Sequence, residues 1–330
     1  MTSLVKGRVL LCSGGTYRIR TPDGIVDCTL RGKVKKAEGD TIAVGDEVEV
    51  EVLESGDCRI ESVLPRHSKL ARHSVARRRE QVIAANVDRV VPVMSVRRPP
   101  PDFRMLDRLL VLAELDDLHC TIVLNKWDLV EGESASALEA TVDGPSDADG
   151  QSDLERLRVA IARDPELAAF EAYLSAGYEV LPASAKSGVG LEAIGKRLHE
   201  GISVLSGPSG AGKSSLLNAL APGLDLRVGV VSEKKGRGRH TTVAASLHPL
   251  PGGGYVVDTP GLQFLSLWQV DPAELAHAFP EFRALEPCHF ANCRHIHEPA
   301  CAVLEAVESG EIGRSRYESY VSLLEEAVCQ

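Results

Sequence analysis

No stretch of the 330-residue chain reaches the roughly 18 uninterrupted apolar residues that a membrane helix needs. Nor does a charged-then-apolar leader stand out near the start, because Lys6 and Arg8 interrupt the first residues. The expectation is a soluble, cytoplasmic protein with no membrane partner. Cysteine is also sparse for a disulfide scaffold, at eight residues in the whole chain. Cys12, Cys28, Cys58 and Cys120 are scattered through apolar or strand-like contexts and read as buried free thiols. Helical periodicity is missing from the first 66 residues. Acidic residues are missing between Arg66 and Arg79, where six Lys and Arg stand. Basic residues are missing between Glu131 and Glu155, where eight acidic ones stand. The net charge of -10 argues weakly against a nucleic-acid partner, but it hides both runs.

What is present fits a globular protein of several domains. Hydrophobic residues make up 44% and charged residues 25%, enough to bury a substantial core. Residues 1–66 alternate apolar with polar in short runs such as "GIVDCTLRG" and "GDEVEVEVLESGDCRIESVL". About five short strands in that length suggest a small β-barrel of the OB type, with other small barrels as the alternative. Residues 67–79 read as a basic connector. From residue 80 the pattern changes. "VDRVVPVMSV", "CTIVLNKWDL", "GYEVLPASAK" and "GISVLSGPSG" read as buried strands, separated by helical stretches such as "DFRMLDRLLVLAELDD" and "LEAIGKRLHEG". Strands alternating with helices predict a parallel α/β sheet over 80–265. The acidic stretch 131–153 reads as a surface insertion of low complexity. Residues 266–330 read as helices around a Cys/His-rich loop.

Chemistry is carried by short motifs. "GPSGAGKSS" supplies Gly207, Pro208, Ser209, Gly210, Ala211, Gly212, Lys213, Ser214 and Ser215, after a strand and before a helix. That is the context of a phosphate-binding loop, in which glycines let backbone N–H groups turn inward. Lys213 would reach the β and γ phosphates, and the Ser214 hydroxyl would ligate Mg²⁺. A phosphate loop does not choose a base, but "NKWD" does: Asn125, Lys126, Trp127 and Asp128 end an apolar strand. The Asp128 carboxylate would accept from N1–H and the 2-amino group of guanine, a pair of donors adenine does not offer. "SAK" ends another such strand. Ser184, Ala185 and Lys186 would complete the base site, with the Ala185 amide on guanine O6.

"DTPG" ends a further strand. Asp258 would hold Mg²⁺ through water, and the Gly261 amide would sense the γ-phosphate. In the loop "KKGRGRHTT" one threonine would complete the Mg²⁺ shell, with Thr241 slightly preferred to Thr242. Leu262 follows "DTPG", where Ras-like enzymes carry a water-orienting Gln. Leu orients no water, so intrinsic hydrolysis should be slow or use another group. His240 is the internal candidate, the alternative being a solvated loop histidine. The motifs also run in permuted order, with base recognition before the phosphate loop. Joining the old ends of a compact domain and opening it elsewhere keeps every contact. The new opening lies after "DTPG", so the switch region would run directly into the C-terminal segment.

"CHFANCRHIHEPAC" places Cys288, Cys293, His295 and Cys301 within 14 residues, a donor set suited to tetrahedral Zn²⁺. His289 and His297 compete as ligands. Three classes of function remain open on these residues. The first is a GTP hydrolase. The second is a nucleic-acid-binding regulator for which GTP is only a ligand. The third, a metabolic phosphate-loop kinase, leaves "NKWD" and "SAK" without a task.

In their order and combination these motifs resemble the RsgA (YjeQ) GTPases, which act on the small ribosomal subunit. The resemblance spans most of the chain. It implies an OB-fold barrel, a circularly permuted P-loop GTPase domain and a C-terminal zinc-binding helical domain. It implies GTP and GDP with Mg²⁺, and Cys288, Cys293, His295 and Cys301 rather than His289 or His297 as zinc ligands. It also implies late maturation of the small subunit, contact with its rRNA, and hydrolysis stimulated by that subunit. A monomer is expected. The length of the 131–153 insertion departs from the pattern and suggests no role.

Overall fold

A computed structural model describes residues 3–35, 41–53, 57–74, 79–130, 151–223, 245–258 and 270–328. The first 63 residues give five strands: β1 (Ser3–Ser13), β2 (Thr16–Thr21), β3 (Gly24–Lys35), β4 (Glu47–Val52) and β5 (Cys58–Val63). Alternation does the folding here. In β2, Ile19 is buried while Arg18 and Arg20 face out; in β4, Val48 and Val50 are buried between exposed or half-exposed glutamates. The inward set forms one core of Val9, Ile19, Cys28, Val48, Val50, Cys58 and Ile60. The strands run in the order β1-β2-β3-β5-β4, and β4 returns to pair antiparallel with β1. That closes a five-stranded barrel with one parallel pair, β3 with β5, as the OB topology requires.

The residues expected as a basic connector are not simply a tether. β6 (Lys69–Ser74) pairs antiparallel with β7 (Arg79–Ala85) in a two-stranded ribbon. Arg66, counted within the basic run, is committed to the fold. Its guanidinium donates to both carboxylate oxygens of buried Asp46, at 2.6 and 2.8 Å.

The chain divides into two compact units: Met1–Arg89 with Leu198–Leu205 and Val230–Ser266, and Val90–Arg197 with Ser206–Gly229 and Leu267–Gln330. The first unit holds the barrel, the ribbon, β11 (Ile202–Ser206), β12 (Ser246–Pro249) and β13 (Tyr255–Asp258). β13 is parallel to β11 and antiparallel to β12, and β12 meets β1 through Leu11 and Ser246.

In the second unit, β8 (Arg89–Ser95), β9 (His119–Asn125) and β10 (Glu179–Pro182) lie side by side, with β9 parallel to β10. These strands are nearly continuous apolar runs, as a sheet covered on both faces demands. Between them run α1 (Phe103–Leu115), α2 (Gln151–Arg163) and α3 (Phe170–Ser175). α1 starts where Asp102 accepts the Met105 amide at 2.9 Å and buries Leu106, Leu109, Leu110, Val111 and Ala113. α4 (Leu191–Leu198) follows β10, and α5 (Lys213–Leu220) follows the phosphate loop. Of the expected acidic insertion, 131–150 lies outside the described residues, while residues 151–153 open α2.

The C-terminal segment is helical, as its sequence predicts: α6 (Pro272–Leu275), α7 (Pro280–Arg283), α8 (Ala302–Ser309) and α9 (Arg314–Val328). They pack Leu275, Phe279, Phe282, Val303, Ala306, Tyr320, Leu323 and Leu324 into one core, which Val111 of α1 joins.

Candidate nucleotide site and metal centre

The phosphate loop leaves β11 and turns through glycines whose conformation has a cause. Gly207 has φ +156 and Gly212 φ +91. A Cβ at Gly207 would lie 2.1 Å from the Val93 carbonyl oxygen, and one at Gly212 would lie 2.3 Å from Asn125 Nδ2. Only glycine lets the loop pass so close to β8 and β9. Lys213 opens α5 and curls back, its ammonium donating to the carbonyls of Gly207 at 2.7 Å and Pro208 at 2.9 Å. Gly212 caps the helix without a side-chain bond, so first-turn N–H groups remain for a ligand. Ser214 and Ser215 are half-buried in that first turn.

Asn125 joins the loops. It ends β9, is buried, and donates from Nδ2 to the Ala211 carbonyl of the phosphate loop at 2.8 Å. Its Oδ1 accepts from the Ala185 amide at 3.4 Å. One amide side chain thus ties the phosphate loop to the Ser184–Lys186 loop. The neighbouring turn is fixed by the Trp127 amide, which donates to the Ala183 carbonyl at 2.9 Å, while the Trp127 ring is buried. Asp128 Oδ1 accepts from the Ser184 hydroxyl at 2.7 Å, and Lys186 Nζ stands 3.5 Å from Asp128 Oδ2. Ser184 Oγ in turn accepts from the amides of Lys186 and Ser187, at 3.2 and 3.1 Å. The Asp128 carboxylate is thereby held in place.

Lys126 takes a left-handed backbone, φ +63, and its ammonium donates to the Arg98 carbonyl. Burial lowers its pKa, against the opposing pull of Asp128. The Arg98 loop was not legible as part of this site. Pro99 lies 3.5 Å from the Cβ position of Gly210, so the segment between β8 and α1 flanks both motifs. The run "RRPPPD" between a strand and a helix was its only trace in the sequence.

Asp258 ends β13 beside the end of its parallel partner β11, the strand that runs into the phosphate loop. Its side chain, and all of His240, Thr241, Thr242, Gly261 and Leu262, lie outside the described residues.

The second constellation is in the C-terminal segment. Cys288, Cys293, His295 and Cys301 bring their ligand atoms within 4.8 Å of one another. Cys288 Sγ is 3.8 Å from Cys301 Sγ, and His295 Nδ1 is 3.5 and 3.4 Å from those two sulfurs. A tetrahedron with ordinary Zn–S and Zn–N bonds has S···S edges of about 3.8 Å and S···N edges of about 3.6 Å. The residues therefore fit a zinc ion. His289 and His297 are exposed and stand outside the group. Sequence reasoning missed what shapes the loop. Glu298 accepts the amides of Arg294, Ile296 and His297 at 2.9, 2.9 and 3.1 Å, and those bonds hold its carboxyl down at about 2. The hydroxyls of Tyr317 and Tyr320 donate to the carbonyls of His295 and Arg294 at 2.9 and 2.8 Å.

Comparison with known proteins agrees with this geometry. A model of the RsgA GTPase matches residues 63–145 and 159–268, and one of the RsgA N-terminal domain matches residues 6–60. A protein of Gemmatimonas aurantiaca named small ribosomal subunit biogenesis GTPase RsgA is 42% identical, over 99% of this chain and 98% of its own. A protein of the same name from Moorella thermoacetica is 38% identical over the same shares. Among solved structures, YjeQ from Thermotoga maritima superposes with a TM-score of 0.75 at 36% identity, over 99% of this chain and 100% of the other. YloQ, described as a circularly permuted GTPase, gives 0.68 at 28% identity, over 98% and 95%.

Proposed function

The chain belongs to the RsgA GTPase family, and from that premise we propose that it binds the small ribosomal subunit and assists its late maturation. It hydrolyses GTP to GDP and phosphate, with turnover stimulated by the subunit. The observation that supports a guanine nucleotide most is the Asn125 bridge between phosphate loop and Ser184–Lys186 loop, with Asp128 held by Ser184 beside it.

In this reading Asp128 accepts from guanine N1–H and the 2-amino group, and the Ala185 amide meets O6. Lys126 and Trp127 frame the base, and Gly207 to Ser215 surround the phosphates. Ser214 and Thr241, with Asp258 through water, would hold Mg²⁺, which when bound would supply positive charge against the β and γ phosphates. Lys213 leaves the Gly207 and Pro208 carbonyls to take those phosphates, and the Gly261 amide faces the γ-phosphate. Water then attacks the γ-phosphorus and the bond to the bridging oxygen breaks. His240 positions that water in place of the side chain that Leu262 does not supply. Residues 1–66 form the rRNA-facing barrel, 67–79 the basic segment after it, 80–265 the GTPase domain and 266–330 the zinc-binding domain. Cys288, Cys293, His295 and Cys301 hold a structural zinc. The protein works as a cytoplasmic monomer.

Leu262 also favours a second reading, a nucleic-acid-binding regulator for which GTP is a ligand and turnover incidental. Single-turnover hydrolysis with and without small subunits separates the two. Strong stimulation by small but not large subunits is expected, and its absence would favour the second reading. The same assay on His240→Ala tests the water-positioning role. An unchanged rate with intact GTP binding removes His240 from the mechanism.

A further inference from the structure

The barrel core holds a pair of cysteines that nucleotide and zinc chemistry leave unused. Cys28 on β3 and Cys58 on β5 are direct register partners in the parallel pair. Neither is joined in a disulfide, and both belong to the same core. Neighbouring strands lie about 4.8 Å apart, so register partners fall inside the roughly 4.4–6.8 Å Cα window of a disulfide. Besides burial, Cys58 is among the neighbours that raise the pKa of the Cys28 thiol. Two sulfurs on facing positions in one core are placed for joining.

The two sites differ in access. Cys28 is 0% exposed and Cys58 7% exposed. Burial also pushes the Cys28 thiol up to about 12, so it is a poor first nucleophile. We propose that Cys28 and Cys58 form an oxidative modification site, at which a small peroxide converts the pair into a disulfide linking β3 to β5. Cys58 attacks first. Its thiolate takes one oxygen from the peroxide, giving a sulfenic acid and, for hydrogen peroxide, one water. Cys28 then attacks the sulfenic sulfur, the S–O bond breaks and a second water leaves. Two thiols supply the two electrons that reduce the peroxide. The apolar setting makes the reaction slow and restricts it to oxidants small enough to enter the core. The product is a cross-link between the two strands that, among the described residues of the barrel, run parallel, and it constrains the barrel against unfolding.

The test uses the full-length, zinc-loaded protein treated with hydrogen peroxide, quenched with acid and alkylated under denaturing conditions before digestion with trypsin. The expected product joins the peptides 21–31 and 37–59, two hydrogens lighter than their sum, and a reductant separates them. Alkylation at Cys288, Cys293 and Cys301 is followed in the same digest, so oxidation of the zinc ligands is scored separately. Recovery of Cys28 and Cys58 fully alkylated, while the zinc ligands oxidise, would overturn the proposal. The order of attack has its own test. Cys28→Ser should accumulate a sulfenic acid at Cys58 that dimedone traps, whereas Cys58→Ser should give no adduct at Cys28. Trapping at Cys28 alone would reverse the assigned roles. The linked peptide from the unsubstituted protein decides the site itself, even where a variant fails to fold.

Discussion

At the scale of single residues, the side chain with the most consequence is Asn125. It satisfies a carbonyl in one loop and an amide in another, and its removal leaves both without that partner. Losing a hydrogen bond in a buried setting costs about 1–3 kcal/mol, so Asn125→Ala should weaken GTP and GDP binding roughly 10- to 100-fold. Equilibrium binding of a fluorescent guanine nucleotide measures this, and an affinity within about twofold of wild type would show that the bridge is dispensable. Asp128 permits a sharper experiment because it concerns preference rather than strength. Asp128→Asn replaces a double acceptor with one acceptor and one donor, which suits the 2-oxo group of xanthine better than the 2-amino group of guanine. Competition between GTP and xanthosine triphosphate should therefore shift toward the latter, and retained guanine selectivity would remove Asp128 from the base site. Both residues were legible in the sequence because each belongs to a short motif ending an apolar strand. The Arg98 carbonyl that holds Lys126 was not legible, because a backbone acceptor leaves no mark in residue type.

At the scale of elements, the helices are held together by a buried charge network that periodicity did not disclose. Arg316 on α9 is 1% exposed. It donates to Asp107 on α1 and, at 2.7 and 3.3 Å, to both carboxylate oxygens of Glu281 on α7. Its guanidinium also lies 4.7 Å from the Phe279 ring and 5.0 Å from the Tyr173 ring. Asp107 accepts further from Tyr173 at 2.8 Å and from Ser319. Arg316→Met strands two acids in an apolar setting and should destabilise the fold by about 3–5 kcal/mol. Adding Asp107→Asn and Glu281→Gln to that variant removes the stranded charge and should restore much of the loss. Urea unfolding reads both. A single variant within about 1 kcal/mol of wild type would mean the network contributes little. The sequence predicts α1 well, because Asp102 and the apolar spacing after it mark a start and a face. It does not predict that Asp107 and Arg316 are inside, since a charged residue in a helix ordinarily faces water. The ribbon β6–β7 escaped for a related reason. Its arginines obscure an alternation in which Leu70, Val82 and Ala84 are buried.

At the scale of the whole molecule, compact units and motif order diverge. Strands β8, β9 and β10, the phosphate loop and the C-terminal helices share one unit, while the barrel shares the other with the strand preceding the phosphate loop and the strand that ends in Asp258. A reader of the sequence sees the motifs in series, but not which lengths of chain pack together, because packing is decided by faces far apart in the chain. The C-terminal segment carries the candidate metal centre. Cys288, Cys293 and Cys301 pack against the core of Phe279, Phe282 and Tyr320, so the proposed zinc ligands and the helical core form one body. Without a cation, three thiols and an imidazole face one another with nothing between them, and the loop loses the bond energy that orders it. Removing zinc with a strong chelator should release about one equivalent per chain and lower the melting midpoint by roughly 5 °C or more, with partial loss of helical signal. GTP binding should persist, because the Asn125, Ser184 and Lys213 contacts involve no residue of the zinc loop. Release of a full equivalent with melting unchanged would make the metal an ornament of the fold. Loss of GTP affinity in step with the metal would instead show that the zinc-bearing end is coupled to the nucleotide pocket.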